Sequence, residues 1–271
     1  MRLLFLGDIV GRSGREAVIS RVPDLRRTLA LDLVVVNAEN ASHGCGLSPA
    51  IGTSLLECGV DVITLGNHAW DRRDLIGHID TQPRIIRPIN YPPGTPGQGS
   101  VVVELADGRK ALVVNAMGRL FMEPLDDPFR SLNELLTKHR LGATVQAIVV
   151  DIHAEATSEK WALGHMLDGR VSLVVGTHTH TPTADHRILA AGTAFQTDAG
   201  MCGDYDSVIG MGKDAAVTRF VRKMPTDRLQ PAEGEATVCG LMVETDGRTG
   251  LARRMAPLRL GGLLAQTQPD F

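Results

Sequence analysis

Short apolar runs alternate with amphipathic stretches along the first part of the chain. The runs "RLLFL", "LDLVVV" and "VDVITL" are each followed by glycine or polar residues. Between the first two, apolar side chains recur with helical spacing over residues 14–30, at Ala17, Val18, Val22, Leu25 and Leu29. A second helix is predicted over "SPAIGTSLLECG", with Ser48 as its N-cap and Pro49 at its first position. This alternation, with its near-continuous Val, Ile and Leu strands, favours an α/β sheet covered on both faces.

The pattern changes after "YPPGTPGQGS". Asp107-Gly108 separates two strand-like runs, which predicts a β-hairpin. A helix near 130–140 then leads to the predicted strand "AIVVDIHAE", the helix "SEKWALGHML" and the strand "RVSLVV". In the last third, "TAFQTD", "AAVTRFV" and "TVCGLMVETDG" are predicted as strands. Because no repeat, low-complexity segment or linker interrupts the chain, we expect residues 1–271 to form one domain with two sheets.

Composition narrows the classes of partner. The formal net charge is −3 and the 28 Lys and Arg residues are dispersed, so the chain has no electrostatic footprint for duplex DNA or an anionic membrane. Single nucleotides or short strands remain open as partners. Its four cysteines have no CxxC spacing and fit reduced thiols in a cytoplasm, and no signal peptide or membrane span is evident. We therefore expect a cytoplasmic protein, and the sequence leaves a homo-oligomer open.

Potential metal ligands follow the ends of the predicted strands. They are Asp8, Glu39 with Asn40, Asn67 with His68, His153, and the pair His178 and His180. In an open α/β sheet the carboxyl ends of parallel strands share one edge, so these side chains should converge on one cleft. A mixed oxygen and nitrogen set without thiolate suits a pair of borderline divalent ions such as Mn, Fe, Co or Zn.

Each ligand also has an ordinary alternative role when it is considered alone. Asp8 could cap the following helix, Asn67 could be a turn residue, and His153 could be a core histidine with satisfied hydrogen bonds. The joint occurrence of these residues, always at strand ends, favours a metal site.

The motifs resemble those of a known superfamily. "GD" at 7–8, "GNH" at 66–68, His153 and "GTHTH" at 176–180 are similar, in order and spacing, to the motifs of the calcineurin-like metallophosphoesterases. The chain departs from that pattern at Val10, where the superfamily usually has a histidine ligand, and at "AEN" (38–40) and "GNHA" (66–69). With "TDAGMCGDYDSVIGM" at 197–211, these departures resemble the YmdB-like branch. The resemblance implies a four-layer α/β/β/α sandwich of two mixed sheets flanked by helices.

The resemblance also implies roles for the residues at the strand ends. Asp8 and His180 would hold a first metal, Glu39 would bridge both metals, and Asn40 could supply the oxygen that replaces the missing histidine. Asn67, His153 and His178 would hold the second metal. His68 would face the substrate and donate a proton to the leaving oxygen.

The function that the resemblance implies is a di-iron or di-manganese phosphodiesterase of small cyclic nucleotides, notably 2′,3′-cyclic AMP. Two metals would share a hydroxide formed from water and would clamp the phosphoryl oxygens during in-line displacement. Two alternatives stay open. One is a phosphomonoesterase or nuclease that uses the same site, and the other is a regulatory protein that binds metal and nucleotide with little turnover.

Overall fold

The computed structural model describes residues 1–271, which fold into six helices and fourteen strands. The helices are α1 (Gly11–Thr28), α2 (Pro49–Glu57), α3 (Arg73–Ile76), α4 (Pro128–Lys138), α5 (Thr157–Leu167) and α6 (Lys213–Arg222). The strands are β1 (Arg2–Leu6), β2 (Asp8–Ile9), β3 (Leu33–Asn37), β4 (Val62–Thr64), β5 (Ile85–Ile86), β6 (Ser100–Glu104), β7 (Lys110–Met117), β8 (Ala147–His153), β9 (Leu173–Thr177), β10 (Arg187–Ile188), β11 (Ala194–Gln196), β12 (Met201–Asp204), β13 (Ala236–Thr245) and β14 (Ala252–Leu260).

The strands form two mixed sheets. The first has the order β2-β12-β13-β1-β3-β4-β5, with β14 as a further partner of β13, and its strands β1, β3, β4 and β5 are parallel. The second has the order β10-β11-β9-β8-β7-β6, and β7, β8, β9 and β11 are parallel within it. Each sheet therefore contains a block of parallel strands, which an antiparallel strand extends on one side in the first sheet and on both sides in the second.

Three hydrophobic clusters define four layers. One cluster combines side chains of both sheets, such as Phe5 and Val35 from the first and Val113 and Val175 from the second, so the sheets pack face to face. The outer face of the first sheet packs against α1 and α2. The outer face of the second sheet packs against α4 and α5. The predicted four-layer α/β/β/α sandwich is confirmed.

Local sequence signals account for the starts of two helices, α2 and α4. Helix α2 begins at Pro49, and the Ser48 side chain accepts a hydrogen bond from the backbone N–H of Ile51 at 3.5 Å, as its N-cap position predicts. Helix α4 is capped in the same way by Asp127, although it begins two residues earlier than expected. Helix α1 begins at Gly11, three residues before the predicted start, and it contains Pro23.

The prediction of a strand over "AAVTRFV" is wrong, because these residues belong to helix α6. Val217, Phe220 and Val221 are apolar but exposed, and they follow the i, i+3, i+4 spacing of a helix face. The segment has no neighbouring strand with which it could pair, so the helix satisfies its backbone groups internally.

The organisation of residues 1–271 as one domain stays a prediction. None of the helices is long and apolar enough to cross a membrane.

Gly176 allows β9 to lie close to the chain that follows β11. A side chain at this position would collide with the carbonyl oxygen of Thr197, and the Gly176 carbonyl already accepts a hydrogen bond of 2.9 Å from Ala199 N. We predict that Gly176→Ala lowers the free energy of unfolding by about 1–3 kcal/mol or more in urea titrations, because the two segments must separate. Gly77→Ala is the matched control, since its new methyl group would meet no atom within 4 Å. Equal midpoints for both variants would show that position 176 does not require glycine.

Candidate active site

The fold places all seven predicted metal ligands at one edge, where the carboxyl ends of strands from both sheets meet. Asp8 lies just beyond β1, Glu39 and Asn40 follow β3, and Asn67 follows β4. From the second sheet, His153 ends β8, while His178 and His180 follow β9. Gly66 keeps the centre open, because a side chain there would collide with the His153 ring and the Glu39 carboxylate.

Glu39 lies between two groups of donor atoms. Its Oε1 is 3.0 Å from His153 Nε2 on one side and 3.3 Å from Asn40 Nδ2 on the other. Its Oε2 accepts a hydrogen bond of 2.9 Å from the backbone N–H of His68, which fixes the orientation of the carboxylate. This position, between both groups, is the one that a bridging ligand requires.

The first of these groups surrounds His153 Nε2. Asn67 Oδ1 is 2.9 Å from this nitrogen, and His178 Nδ1 is 3.1 Å from it. The ligand atoms of Glu39, His153 and His178 all lie within 4.8 Å of one another. Two imidazoles, one carboxylate and one amide oxygen are therefore arranged as the resemblance implies for the second metal.

The other group surrounds Asp8. Its Oδ2 accepts from the backbone N–H of His178 at 3.2 Å, whereas its Oδ1 is buried and has no hydrogen-bond partner. His180 Nε2 lies 3.7 Å from Asp8 Oδ1 and 3.1 Å from Asn40 Nδ2. Asn40 turns its nitrogen towards these groups, so it would have to rotate its amide by half a turn to act as an oxygen ligand.

The pKa shifts of Glu39, His153 and His178 indicate where a cation would bind. Burial raises the pKa of Glu39, but the charge and hydrogen bond of His153 outweigh burial and hold this pKa at about 2. Burial lowers the pKa of His153, yet the Glu39 carboxylate raises it to about 9. Burial and the His153 charge lower the pKa of His178 to about 3. Without metal, the proton on His153 Nε2 is thus enclosed by the same atoms that would bind an ion, and metal binding would displace it. The residues fit a metal centre.

Hydrogen bonds to the outer ring nitrogens orient the histidines. His180 Nδ1 donates to the carbonyl oxygen of Ile209 at 2.8 Å, which leaves Nε2 as the nitrogen that faces Asp8. The Thr177 hydroxyl donates to Asp151 Oδ1 at 2.7 Å and accepts from His153 Nδ1 at 2.9 Å. These partners select the imidazole nitrogen that is free to bind a metal.

A buried ion pair supports the loop that carries His178 and His180. Lys160 Nζ donates to Asp198 Oδ2 at 2.8 Å and to the Thr177 carbonyl oxygen at 2.7 Å, and all of these groups are buried. Asp198 Oδ2 also accepts from the N–H and hydroxyl of Thr179, which lies between the two histidines. His178 and His180 have positive φ angles, 95° and 64°, which are unfavourable for residues other than glycine. The Asp198 network holds the loop in this conformation.

His68 does not belong to the group of donor atoms formed by Glu39, His153 and His178, and its role as a proton donor stays a prediction. Its Nδ1 is hydrogen-bonded to Asp71 Oδ2 at 2.8 Å, and its side chain is 35% exposed. Asp71 leaves Nε2 as the ring nitrogen that is available to a substrate. His68 therefore has the exposure and the free nitrogen that a proton donor requires.

A cavity of about 610 Å³ opens over these groups, and its walls include Glu39, His68, His180 and Ile209. A larger depression of about 710 Å³ lies at the opposite ends of the strands, beside Asp32 and Asp61. Both of these carboxylates are already paired, with Arg109 at 2.6 Å and with Arg26 at 2.5 Å. We therefore assign the chemistry to the smaller cavity, where donor groups converge.

Several residues that support the site were not among the predicted site residues. Asp151 is two positions before His153 on the same strand, so the two-residue period of a strand was the available signal. Asp71 follows His68 by one turn, and Glu155 lies 3.1 Å from His178 Nε2. The 197–211 segment, which contributed to the family resemblance, is largely buried. It contains β12, and Ile209 and Met211 near its end line the cavity.

Comparisons with known proteins agree with this geometry. The family model described as "YmdB-like protein" matches residues 4–258. A Bacillus subtilis (strain 168) protein named 2′,3′-cyclic-nucleotide 2′-phosphodiesterase is 46% identical over 92% of this chain and 93% of its own. A Mycoplasma pneumoniae protein named as a putative phosphatase/phosphodiesterase is 34% identical over 96% of this chain and 93% of its own.

Solved structures with the same fold are also similar. A hypothetical protein from Thermus thermophilus superposes with a TM-score of 0.90 at 42% identity, over 97% of this chain and 100% of that one. A structure described as a novel phosphatase of Mycoplasma pneumoniae gives a TM-score of 0.89 at 34% identity, over 96% and 93% of the two chains.

Thr177 allows a test of how His153 is oriented. We predict that Thr177→Val, which removes the acceptor of His153 Nδ1–H at nearly constant volume, weakens Mn²⁺ binding about 10–100-fold in equilibrium titrations. Thr177→Ser keeps the hydroxyl and should bind Mn²⁺ as the unmodified protein does. Mn²⁺ affinity that is equal in all three proteins would show that Thr177 has no orienting role.

Proposed function

The chain belongs to the YmdB-like family and is a phosphoric diester hydrolase. We propose that it hydrolyses small cyclic nucleotides, above all 2′,3′-cyclic AMP, and that His68 is the proton donor. The observation that carries the proposal is the convergence of six donor residues around Glu39, beside a cavity that a partly exposed histidine also lines. The identity of 46% to the Bacillus subtilis enzyme supports the choice of substrate class.

The proposed ligand sets share one residue. Asp8, Asn40 and His180 would hold one ion; Asn67, His153 and His178 would hold the other, and Glu39 would bridge them. The oxygen and nitrogen donors, without thiolate, suit Fe or Mn. When bound, such a pair of ions acidifies water and stabilises the charge that develops on the phosphoryl oxygens.

The protein's own residues supply orientation and proton transfer. Asp71 accepts from His68 Nδ1 at 2.8 Å, which orients the ring and leaves Nε2 as the nitrogen that can face the substrate. The Glu39 carboxylate accepts from the His68 backbone N–H at 2.9 Å, so the proton donor and the proposed bridging ligand keep a fixed separation. His68 would protonate the leaving ribose oxygen as the phosphorus–oxygen bond breaks.

A phosphomonoesterase activity in the same site is the second candidate, because the Mycoplasma pneumoniae relative is named as a putative phosphatase/phosphodiesterase. A panel of cyclic nucleotides, nucleoside monophosphates and nitrophenyl esters, assayed on one metal-loaded preparation, would rank the activities directly.

The proposed function predicts the metal content of the protein. Elemental analysis of protein purified without chelator should give about two Fe or Mn ions per chain, because two ligand sets share Glu39. Glu39→Gln removes the bridging charge with little change in size, so it should lower the occupancy of both sites. A single tightly bound Zn, or no transition metal that restores activity after chelation, would contradict the two-metal proposal.

Another prediction concerns His68. A ribose hydroxyl leaves poorly as an alkoxide, whereas nitrophenolate leaves readily without protonation. His68→Ala should therefore slow cyclic-nucleotide hydrolysis by roughly 10²-fold or more and slow a nitrophenyl phosphodiester far less. Metal content should not change.

The control for this experiment is His165→Ala, at an exposed position on α5. Equal losses on both substrates with retained metals would assign His68 to binding or charge stabilisation. Loss of a metal would make His68 a ligand.

A further inference from the structure

One wall of the active-site cavity is formed by a segment that we call the flap, residues 209–231. It includes α6, and its ends are joined by the hydrogen bond from Gly212 N to the Gln230 carbonyl oxygen at 2.9 Å. Ile209 at its base accepts a hydrogen bond from His180. Two of its side chains that line the cavity are Arg219 and Arg228. The flap thus adds positive charge next to the candidate metal centre.

Neither arginine forms an ion pair with a carboxylate. Arg219 donates to the Thr226 hydroxyl at 2.7 Å and to the Asp227 carbonyl oxygen at 2.9 Å, both of which are uncharged. Lys213 on the same flap, by contrast, pairs with Asp206 at 2.8 Å. Because the two guanidinium groups keep their charge without an acidic partner, they are available to an anion, and planar guanidinium suits phosphate.

Arg228 lies on the same side of the cavity as His68. Its guanidinium neighbours the Cys45 thiol, whose pKa it lowers against the larger rise that burial causes. The ligand atoms of Cys45, His68 and Asp71 lie within 4.8 Å of one another. His68 faces the leaving ribose oxygen in the proposed reaction, so Arg228 lies on the side where the nucleoside that carries this oxygen extends beyond the phosphorus atom.

The cavity offers little for recognition of a base by stacking. None of its lining residues is Phe, Tyr or Trp. Base–aromatic stacking, which anchors many nucleotides, is therefore absent from this site. Its volume of about 610 Å³ nevertheless extends well beyond the metal-binding group. The walls are therefore better suited to bind a charged group of the substrate than its base.

We propose that Arg219 and Arg228 bind a second phosphate, attached to the 5′ oxygen of the same nucleoside whose ribose oxygen leaves phosphorus, and that the preferred substrate is a short oligonucleotide ending in a 2′,3′-cyclic phosphate. The inference rests on the proposed function, because it takes His68 as the proton donor on the leaving-group side. A 5′-phosphorylated cyclic mononucleotide presents the same chemistry, so the test must separate the two sources.

The test compares three substrates: 2′,3′-cyclic AMP, its 5′-phosphorylated form, and the dinucleotide ApA with a 2′,3′-cyclic phosphate end. For the unmodified protein, we expect kcat/KM for both substrates with a second phosphate to exceed that for 2′,3′-cyclic AMP by roughly 10–100-fold. Arg228→Ala and Arg219→Ala should each reduce this ratio. Arg222→Ala, which removes an exposed arginine of α6 outside the cavity, should leave the ratio unchanged.

The outcomes are distinct. A preference for the dinucleotide that exceeds the preference for the 5′-phosphorylated mononucleotide supports the oligonucleotide. Equal rates on all three substrates, or arginine variants that lose activity equally on all three, would overturn the inference and place these arginines on the scissile phosphate or in support of the flap. Failure of the unmodified, metal-loaded protein to hydrolyse any of the three would overturn the proposed function itself.

Discussion

The junction of the two sheets contains more buried negative charge than the protein's own cations neutralise. Four fully buried carboxylates, of Asp8, Glu39, Asp151 and Asp198, face two buried cationic side chains, Lys160 and His153. Lys160 pairs with Asp198 and His153 pairs with Glu39. Burial raises the pKa of Asp8, and it raises that of Asp151 to about 6. Since an unpaired buried charge is costly, this arrangement is one that bound cations stabilise.

Asp151 shows how the same charge joins the layers. It lies on β8 in the second sheet, yet its Oδ2 accepts from the Thr64 hydroxyl at 2.5 Å and from Asn37 Nδ2 at 3.1 Å, both in the first sheet. Its Oδ1 accepts from Thr177 on β9. The carboxylate of Asp151 thus links β8 to three other strands, two of them in the opposite sheet. Through Thr177 it also orients His153. Packing of the sheets and orientation of the ligand are consequently coupled, because a shift between the sheets would disturb both.

The strand ends could be predicted because hydrophobic periodicity and parallel topology together determine which residues meet. Glu39 is separated from His153 and His178 by more than a hundred positions along the chain, yet each of the three follows or ends an apolar run, and that was sufficient. Lys160 could not be paired with Asp198 in this way, because Lys160 lies within helix α5 and not at a strand end. The prediction of a strand over residues 215–221 failed because the apolar side chains of α6 are exposed, so their pattern does not correspond to a buried face.

Val10 connects the unusual ligand set with the flap. The superfamily usually has a histidine at this position, but Val10 is buried and packs so closely against Gly210 that a methyl group on Gly210 would lie 2.7 Å from Val10 Cγ1. This contact holds the base of the flap beside β2 and brings the Ile209 carbonyl within reach of His180. Asn40 is adjacent, because its backbone carbonyl accepts from Gly11 N at 2.9 Å. A histidine at position 10 would require space that Gly210 now occupies. Val10, Asn40 and the base of the flap are therefore neighbours in a single packing arrangement, so a larger residue at position 10 would disturb the other two.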